Sequence, residues 1–192
     1  MNGNIESGTI IVFVGTSGSG RKTIAHQLGK ELGFQYVISH TTRPSRPKET
    51  EGKDYYFTSR QAFIEADIRG EFIQTVELDN HFYGINKADV TAALQVSPVI
   101  YVIVNRSGAN KLKYEFGDKA IRIFIYVNKQ LILERLQARA VSEEIIRHYM
   151  DHYIEEVSYR KDCEHVFENL DLDETKARIK ESILTHLPAT MS

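Results

Sequence analysis

The first residues able to do chemistry lie between Gly15 and Thr23. The run Gly15-Thr16-Ser17-Gly18-Ser19-Gly20-Arg21-Lys22-Thr23 follows the apolar, β-branched stretch Thr9–Val14. A loop G-x-x-x-x-G-K-[ST] between a strand and a helix lets successive backbone N–H groups converge on an anion at the helix N-terminus. Its lysine reaches the β- and γ-phosphates of a nucleotide, and its hydroxyl holds Mg²⁺. Gly15 and Gly20 stand where that pattern needs them, but Arg21 occupies the lysine position and Lys22 the hydroxyl position. Sliding the register to use Lys22 and Thr23 puts Thr16 and Arg21 at the glycine positions, which restores nothing. The loop therefore reads as a phosphate cradle built from Gly15, Ser17, Gly18, Ser19, Gly20, Arg21, Lys22 and Thr23. Arginine is a wide planar fork where lysine is a compact charge on a flexible stem. Lys22 adds a cation where the metal would sit. Anion binding is expected to survive and metal-assisted phosphoryl transfer to be weakened, with no side-chain metal ligand assigned.

The elements that must hold this loop are legible from apolar patterning. Thr9–Val14, Pro98–Val104 and Ile121–Val127 are continuous apolar runs of the kind found in strands buried on both faces. Thr23–Leu32, Lys129–Arg139 and Leu172–Leu187 have helical spacing. A longer helix is predicted from Ser142, as N-cap, to Asp162. His165–Phe167 is a short strand candidate. Strands alternating with helices imply an α/β fold with a parallel, helix-covered sheet. The stretch from Ser39 to Tyr83 departs from that rhythm. Its short alternating runs, with aromatic residues, Arg43, Arg46, Pro44 and Pro47, predict an inserted antiparallel patch.

Composition narrows the class. The chain has 192 residues, of which 42% are hydrophobic and 26% charged, as in an ordinary soluble domain with a sizeable core. The 24 Lys+Arg against 26 Asp+Glu leave a net charge of −2, which gives no basis for general nucleic-acid binding. The single cysteine, Cys163, forbids an intrachain disulfide and fits a reducing compartment. The start, Met1–Gly8, is polar without a signal-peptide apolar region, and no apolar run is long enough to span a bilayer. A soluble, cytoplasmic protein is expected, acting away from membranes.

A longer ordered series of residues carries a resemblance. Ser39-His40-Thr41-Thr42-Arg43-Pro44-Ser45-Arg46-Pro47 is followed by Glu51-Gly52-Lys53-Asp54-Tyr55-Tyr56-Phe57, by Glu71-Phe72-Ile73 and by Phe82-Tyr83-Gly84. From about Thr9 to Leu187 the chain resembles the guanylate kinase family. The resemblance implies one domain over 1–192, with a core of 9–38 and 90–187, an inserted monophosphate-binding patch at 39–89 and a helical lid at about 135–150. It implies ATP as phosphoryl donor with Mg²⁺, and a nucleoside monophosphate, GMP foremost, as acceptor. Ser39, Arg43, Arg46, Tyr55 and Tyr83 would hold the acceptor's phosphate, the arginines as forked donors and the hydroxyls completing the anion shell. Arg135 and Arg139 match lid arginines that would act with Arg21 on the transferring phosphoryl, and Asn169 matches an adenine-side asparagine.

Departures cluster away from that phosphate pocket. The family's guanine-reading glutamate falls on Gln74, its small hydroxyl on Ile85, and its two strand-end acids on Ile103 and Asn105. Gln74 and Asn105 can still accept one hydrogen bond each, without the charge, so base selectivity is expected to relax. Glu77, three residues past Gln74, is an alternative base reader, and Arg147 an alternative to a further family arginine that falls on Tyr149. Two functions follow. One is phosphoryl transfer from ATP to GMP or a related monophosphate, with impaired or altered activity. The other is a catalytically weak or inactive module that binds a nucleotide or a phosphorylated protein partner.

Overall fold

The computed structural model describes residues 8–138 and 142–187. The chain begins with β1 (Thr9–Gly15), α1 (Arg21–Leu32), β2 (Gln35–Tyr36), β3 (His40–Thr41), β4 (Tyr56–Phe57) and α2 (Arg60–Ile68). It continues with β5 (Phe72–Leu78), β6 (His81–Asn86), α3 (Lys87–Val96), β7 (Val99–Ile103), α4 (Arg106–Phe116) and β8 (Ala120–Tyr126). The last described elements are α5 (Lys129–Ala138), α6 (Glu143–Ser158), β9 (His165–Glu168) and α7 (Leu172–Leu184).

Five strands form a parallel sheet in the order β2-β7-β1-β8-β9, with β1 in the centre between β7 and β8. The period-2 geometry of a strand sends alternate side chains of β1 to opposite faces. Ile10, Val12 and Val14 pack with Val102, Phe124, Ala109 and Leu112 on the α4 side. Ile11 and Phe13 pack with Ile24, Leu28, Ile179 and Ile183 on the side of α1 and α7. Burial on both faces explains why β1, β7 and β8 are continuous apolar runs. In α/β sheets of this kind, ligands bind outside the C-terminal ends of the strands. Those ends, at Gly15, Ile103 and Tyr126, carry the phosphate loop and Asn105.

The inserted segment differs from expectation in pairing. It forms a four-stranded sheet, β4-β3-β6-β5, in which β3–β6 and β5–β6 are antiparallel but β3–β4 is parallel. The long connection 42–55 lets the chain return in the same direction, which a tight hairpin forbids. A helix, α2, also belongs to this segment, its Phe63 stacked on Phe72 and Phe82. Two helix ends also fall short of the sequence reading. The helix after Ser142 gives way to a 3-10 turn at Tyr159–Asp162, where buried Tyr159 donates to Asn110 Oδ1 at 2.8 Å. α7 stops at Leu184, and Leu187 tucks into the core beyond it. No described helix is long and apolar enough to cross a membrane. Half-buried Cys163 donates its thiol to Tyr159 O at 3.7 Å, and burial pushes that thiol up to about 12, so it is an unreactive packing residue.

Candidate functional site

The loop after β1 has the backbone that its glycines permit. A Cβ on Gly15 would lie 1.8 Å from Ile125 O, so only glycine lets β1 close onto β8 at that point. Gly20 caps α1 at φ 83°, and a Cβ there would meet Asn169 Nδ2 at 2.6 Å. The first N–H groups of α1 have no intrahelical acceptor and face the loop's concavity. Around it, the buried side-chain atoms Thr16 Oγ1, Ser19 Oγ and Asn169 Oδ1 lack hydrogen-bond partners. Unpartnered buried polar atoms are uncommon, and three of the four among the described residues are concentrated around this loop.

The two cations of the loop diverge. Arg21 turns inward, its Nη1 donating to Gly15 O at 2.9 Å and to Val104 O at 3.2 Å, the ends of β1 and β7. Burial pulls its pKa down, while Tyr55, Glu156, Tyr36 and Tyr149 pull the other way. Lys22 turns outward across the cleft and pairs with Asp54 of the inserted segment. That contact, with the Thr50 N–H at 2.8 Å, holds the Asp54 carboxyl below its ordinary range against its slight burial. Thr23 follows on the exposed side of α1.

In the inserted segment Arg43 is half-buried and Arg46 exposed. Arg43 Nη2 donates to both Glu49 carboxylate oxygens at 2.8 Å, its Nη1 donates to Pro44 O at 2.6 Å, and it lies 5.5 Å from the Tyr55 ring centre. The backbone N–H of Arg46 reaches the same Glu49 carboxylate at 2.9 Å. Burial pulls the Arg43 pKa down, but Glu49 and the Tyr83 hydroxyl outweigh it and leave it raised. Tyr55 and Tyr83 meet edge to face at 6.0 Å. Burial pushes the Tyr55 phenol up, while Arg21 and Arg43 draw it down. Ser39 is buried at the start of the segment, its carbonyl accepting from Tyr56 N–H at 2.9 Å. The fold thus clusters Arg43 with Tyr55 and Tyr83, and Arg43 and the Arg46 backbone N–H converge on one carboxylate-sized anion position. The Glu49 carboxylate is the anion held there.

The positions expected to face a base are less polar. Gln74 on β5 is buried with its Oε1 unpartnered. Asn105 lies close by, but its Oδ1 caps α4 by accepting from Gly108 N–H at 2.8 Å. A Cβ on Gly108 would lie 3.4 Å from both side-chain oxygens. Ile85 is fully buried in the core. Glu77 does not serve as the alternative reader. It points to the face of β5 opposite Gln74 and pairs with Arg60 at 3.1 Å.

On the other side of the loop, Arg135 of α5 donates to Asn169 O at 3.0 Å. Asn169 is buried, and its Nδ2 donates to Ser19 O at 2.7 Å, so its side chain braces the phosphate loop from below. Arg139 lies outside the described residues. One residue had no sequence signal at all: Glu156 of α6, whose Oε2 accepts from Ser17 N–H of the loop at 3.3 Å. Burial raises its carboxyl above the ordinary range, although the Ser17 N–H and the Arg21 charge draw it down. A carboxylate of the chain itself thus stands on the Arg43 guanidinium, from Glu49, and on the Ser17 N–H of the loop, from Glu156.

Comparison with known proteins agrees with this fold. A family model described as guanylate kinase matches residues 7–186. A guanylate kinase of Rhodopseudomonas palustris is 35% identical over 155 residues, covering 79% of this chain and 70% of its own. One of Salinibacter ruber is 32% identical over 180 residues, covering 90% and 95%. The crystal structure of guanylate kinase from Anaplasma phagocytophilum superposes with a TM-score of 0.76 at 26% identity, over 97% of this chain and 89% of that one.

Proposed function

The chain belongs to the guanylate kinase family, and from that premise we propose that it binds GMP or a related nucleoside monophosphate in the inserted segment and phosphorylates it from ATP slowly. The observation that carries this reading is the Arg43 position. A half-buried guanidinium there holds a carboxylate through two 2.8 Å contacts, flanked by Tyr55 and Tyr83. A phosphate offers the same donors a larger anionic acceptor and would displace Glu49. Ser39 and Arg46 complete the shell in this reading, and Gln74, with Asn105 beside it, faces the base.

The donor side supports slow turnover. Phosphoryl transfer depends on positioning and on neutralising charge at the β- and γ-phosphates. Arg21 already gives two hydrogen bonds to backbone carbonyls and has fewer donors to offer. The Mg²⁺ that accompanies ATP in this family finds a poor donor set. Lys22 replaces the hydroxyl, Ile103 has no donor atom, and the Asn105 oxygen is engaged in capping. These residues do not fit the metal. Arg135, braced on Asn169 O, and Arg139 are assigned to the lid side of the donor phosphates, and Asn169 to support of the loop. The test is ADP formation with ATP and GMP, dGMP, AMP or IMP. A rate well below the roughly 1–100 s⁻¹ usual for kinases is expected. A rate inside that range refutes the slow-transfer reading. Complete absence of turnover, with a phosphopeptide competing against GMP, favours a binding module.

A further inference from the structure

Building on the nucleotide reading of the loop proposed above, we infer that the phosphate loop takes its nucleoside triphosphate free of divalent metal, with side-chain cations supplying the neutralisation. Three observations converge on this. The loop carries two buried, unpartnered hydroxyl oxygens, Thr16 Oγ1 and Ser19 Oγ, each in a residue 1% exposed, which leaves it polar capacity beyond the free N–H groups of the helix end. The position that holds Mg²⁺ in loops of this pattern carries an ammonium, Lys22, on the first turn of α1. That ammonium reaches across the cleft to Asp54, next to Tyr55, and so stands between the loop and the monophosphate pocket.

Charge decides the preferred form of the ligand. A divalent metal placed beside Lys22 and Arg21 is repelled by both, and no described carboxylate of the strand ends offsets this, because those positions are Ile103 and Asn105. Free ATP carries two more negative charges than its Mg²⁺ complex and interacts correspondingly more strongly with fixed cations. Moving from Asp54 to a phosphate exchanges one anion for another at the Lys22 ammonium, so the charge remains satisfied when the nucleotide enters. Among the described residues two carboxylates touch the loop, Asp54 on the Lys22 ammonium and Glu156 on the Ser17 N–H, and Glu156, which no cation of the loop contacts directly, is the one that would hold a metal if one bound.

The test is calorimetric titration of the full chain with ATP, in EDTA and in excess MgCl₂, at matched ionic strength and without monophosphate. ATP is expected to bind at least about threefold more tightly in EDTA. In Lys22→Ser that preference should vanish or reverse, while thermal unfolding stays close to wild type because Lys22 is exposed. Equal or tighter binding with Mg²⁺ in the wild type overturns the inference and leaves the nucleotide reading intact. If that Mg²⁺ advantage also disappears in Glu156→Gln, Glu156 is the metal's ligand. Absence of ATP binding in both conditions overturns the nucleotide reading itself, and this inference with it.

Discussion

Replacing Glu156 by glutamine should tighten binding of any phosphate to the loop. The Glu156 carboxylate accepts the Ser17 N–H at 3.3 Å, which makes it a built-in competitor for a backbone donor that an entering phosphate needs. A hydrogen bond to a charged group is worth about 1.5–3 kcal/mol and a neutral one about 0.5–1.5. At 3.3 Å the low end of each range applies, so neutralising the acceptor lowers the cost of displacement by about 1 kcal/mol. That corresponds to roughly fivefold in Kd. The pH dependence gives a second handle. Burial raises the Glu156 carboxyl above its ordinary value. The ionised competitor is therefore present above that raised pKa and disappears as pH falls through it. A group with a raised folded-state pKa contributes stability at low pH that is lost as pH rises through that pKa, so Glu156→Gln should be neutral to stabilising at pH 7. The assay is titration of wild type and variant with ATP in parallel from pH 5 to 8, read as the ratio of their Kd values so that the ligand's own ionisation cancels. A ratio of about five at pH 8 that approaches one at low pH is expected. Weaker or unchanged binding by the variant at pH 8 would refute the competitor role.

Other positions give further expectations. Gln74→Glu should raise the affinity ratio of GMP over AMP by about 1.5–3 kcal/mol, since a charged acceptor would meet the guanine N–H groups. The same change should lower the melting temperature of the free protein, because Gln74 is 4% exposed and a carboxylate there lacks a partner. In the unaltered chain the GMP-to-AMP ratio should stay below roughly a thousandfold, about 4 kcal/mol, as competition titrations can determine. Glu164 is partly buried, yet Arg122 and Lys113 hold its carboxyl down to about 2. Its contribution to stability is present above the ordinary carboxylate range and is lost as pH falls towards 2. Discounted for exposure, it amounts to about 1–2 kcal/mol, which denaturant unfolding of Glu164→Gln against wild type at pH 7 and pH 3 would measure, with the difference shrinking at the lower pH.

Local signals made the phosphate loop and the arginine segment legible in the sequence. Glycine spacing after an apolar run fixes a strand–loop–helix turn, and a buried parallel strand such as β1 shows itself by lacking alternation. What the sequence did not disclose are contacts between residues far apart along the chain. Ser17 and Glu156 are separated by 139 positions, and nothing in the composition of α6 marks one glutamate among several. Arg21 was identifiable as an altered lysine, but its inward turn depends on the Val104 carbonyl being presented by β7. Asn105 read as a base acceptor because its residue type permits that, whereas the start of α4 engages its oxygen as a cap. Glu77 lost its candidacy to strand geometry, which sends it to the face opposite Gln74. The parallel β3–β4 pairing arose from the length of the 42–55 connection, which apolar alternation does not encode.

The central claim is that the monophosphate pocket works while the donor side is altered, and calorimetric titration of GMP into wild type and Arg43→Ala tests it most directly. Arg43 now holds Glu49 through two 2.8 Å contacts, which a phosphate must displace, so the net contribution of that guanidinium falls at the low end of the about 1.5–3 kcal/mol of a charged hydrogen bond, or roughly 10-fold in Kd. Measurable GMP binding in the wild type, weakened by that factor in Arg43→Ala without loss of fold by circular dichroism, is the predicted result. Absence of affinity for any nucleoside monophosphate or for inorganic phosphate, or GMP binding indifferent to the loss of Arg43, would contradict it.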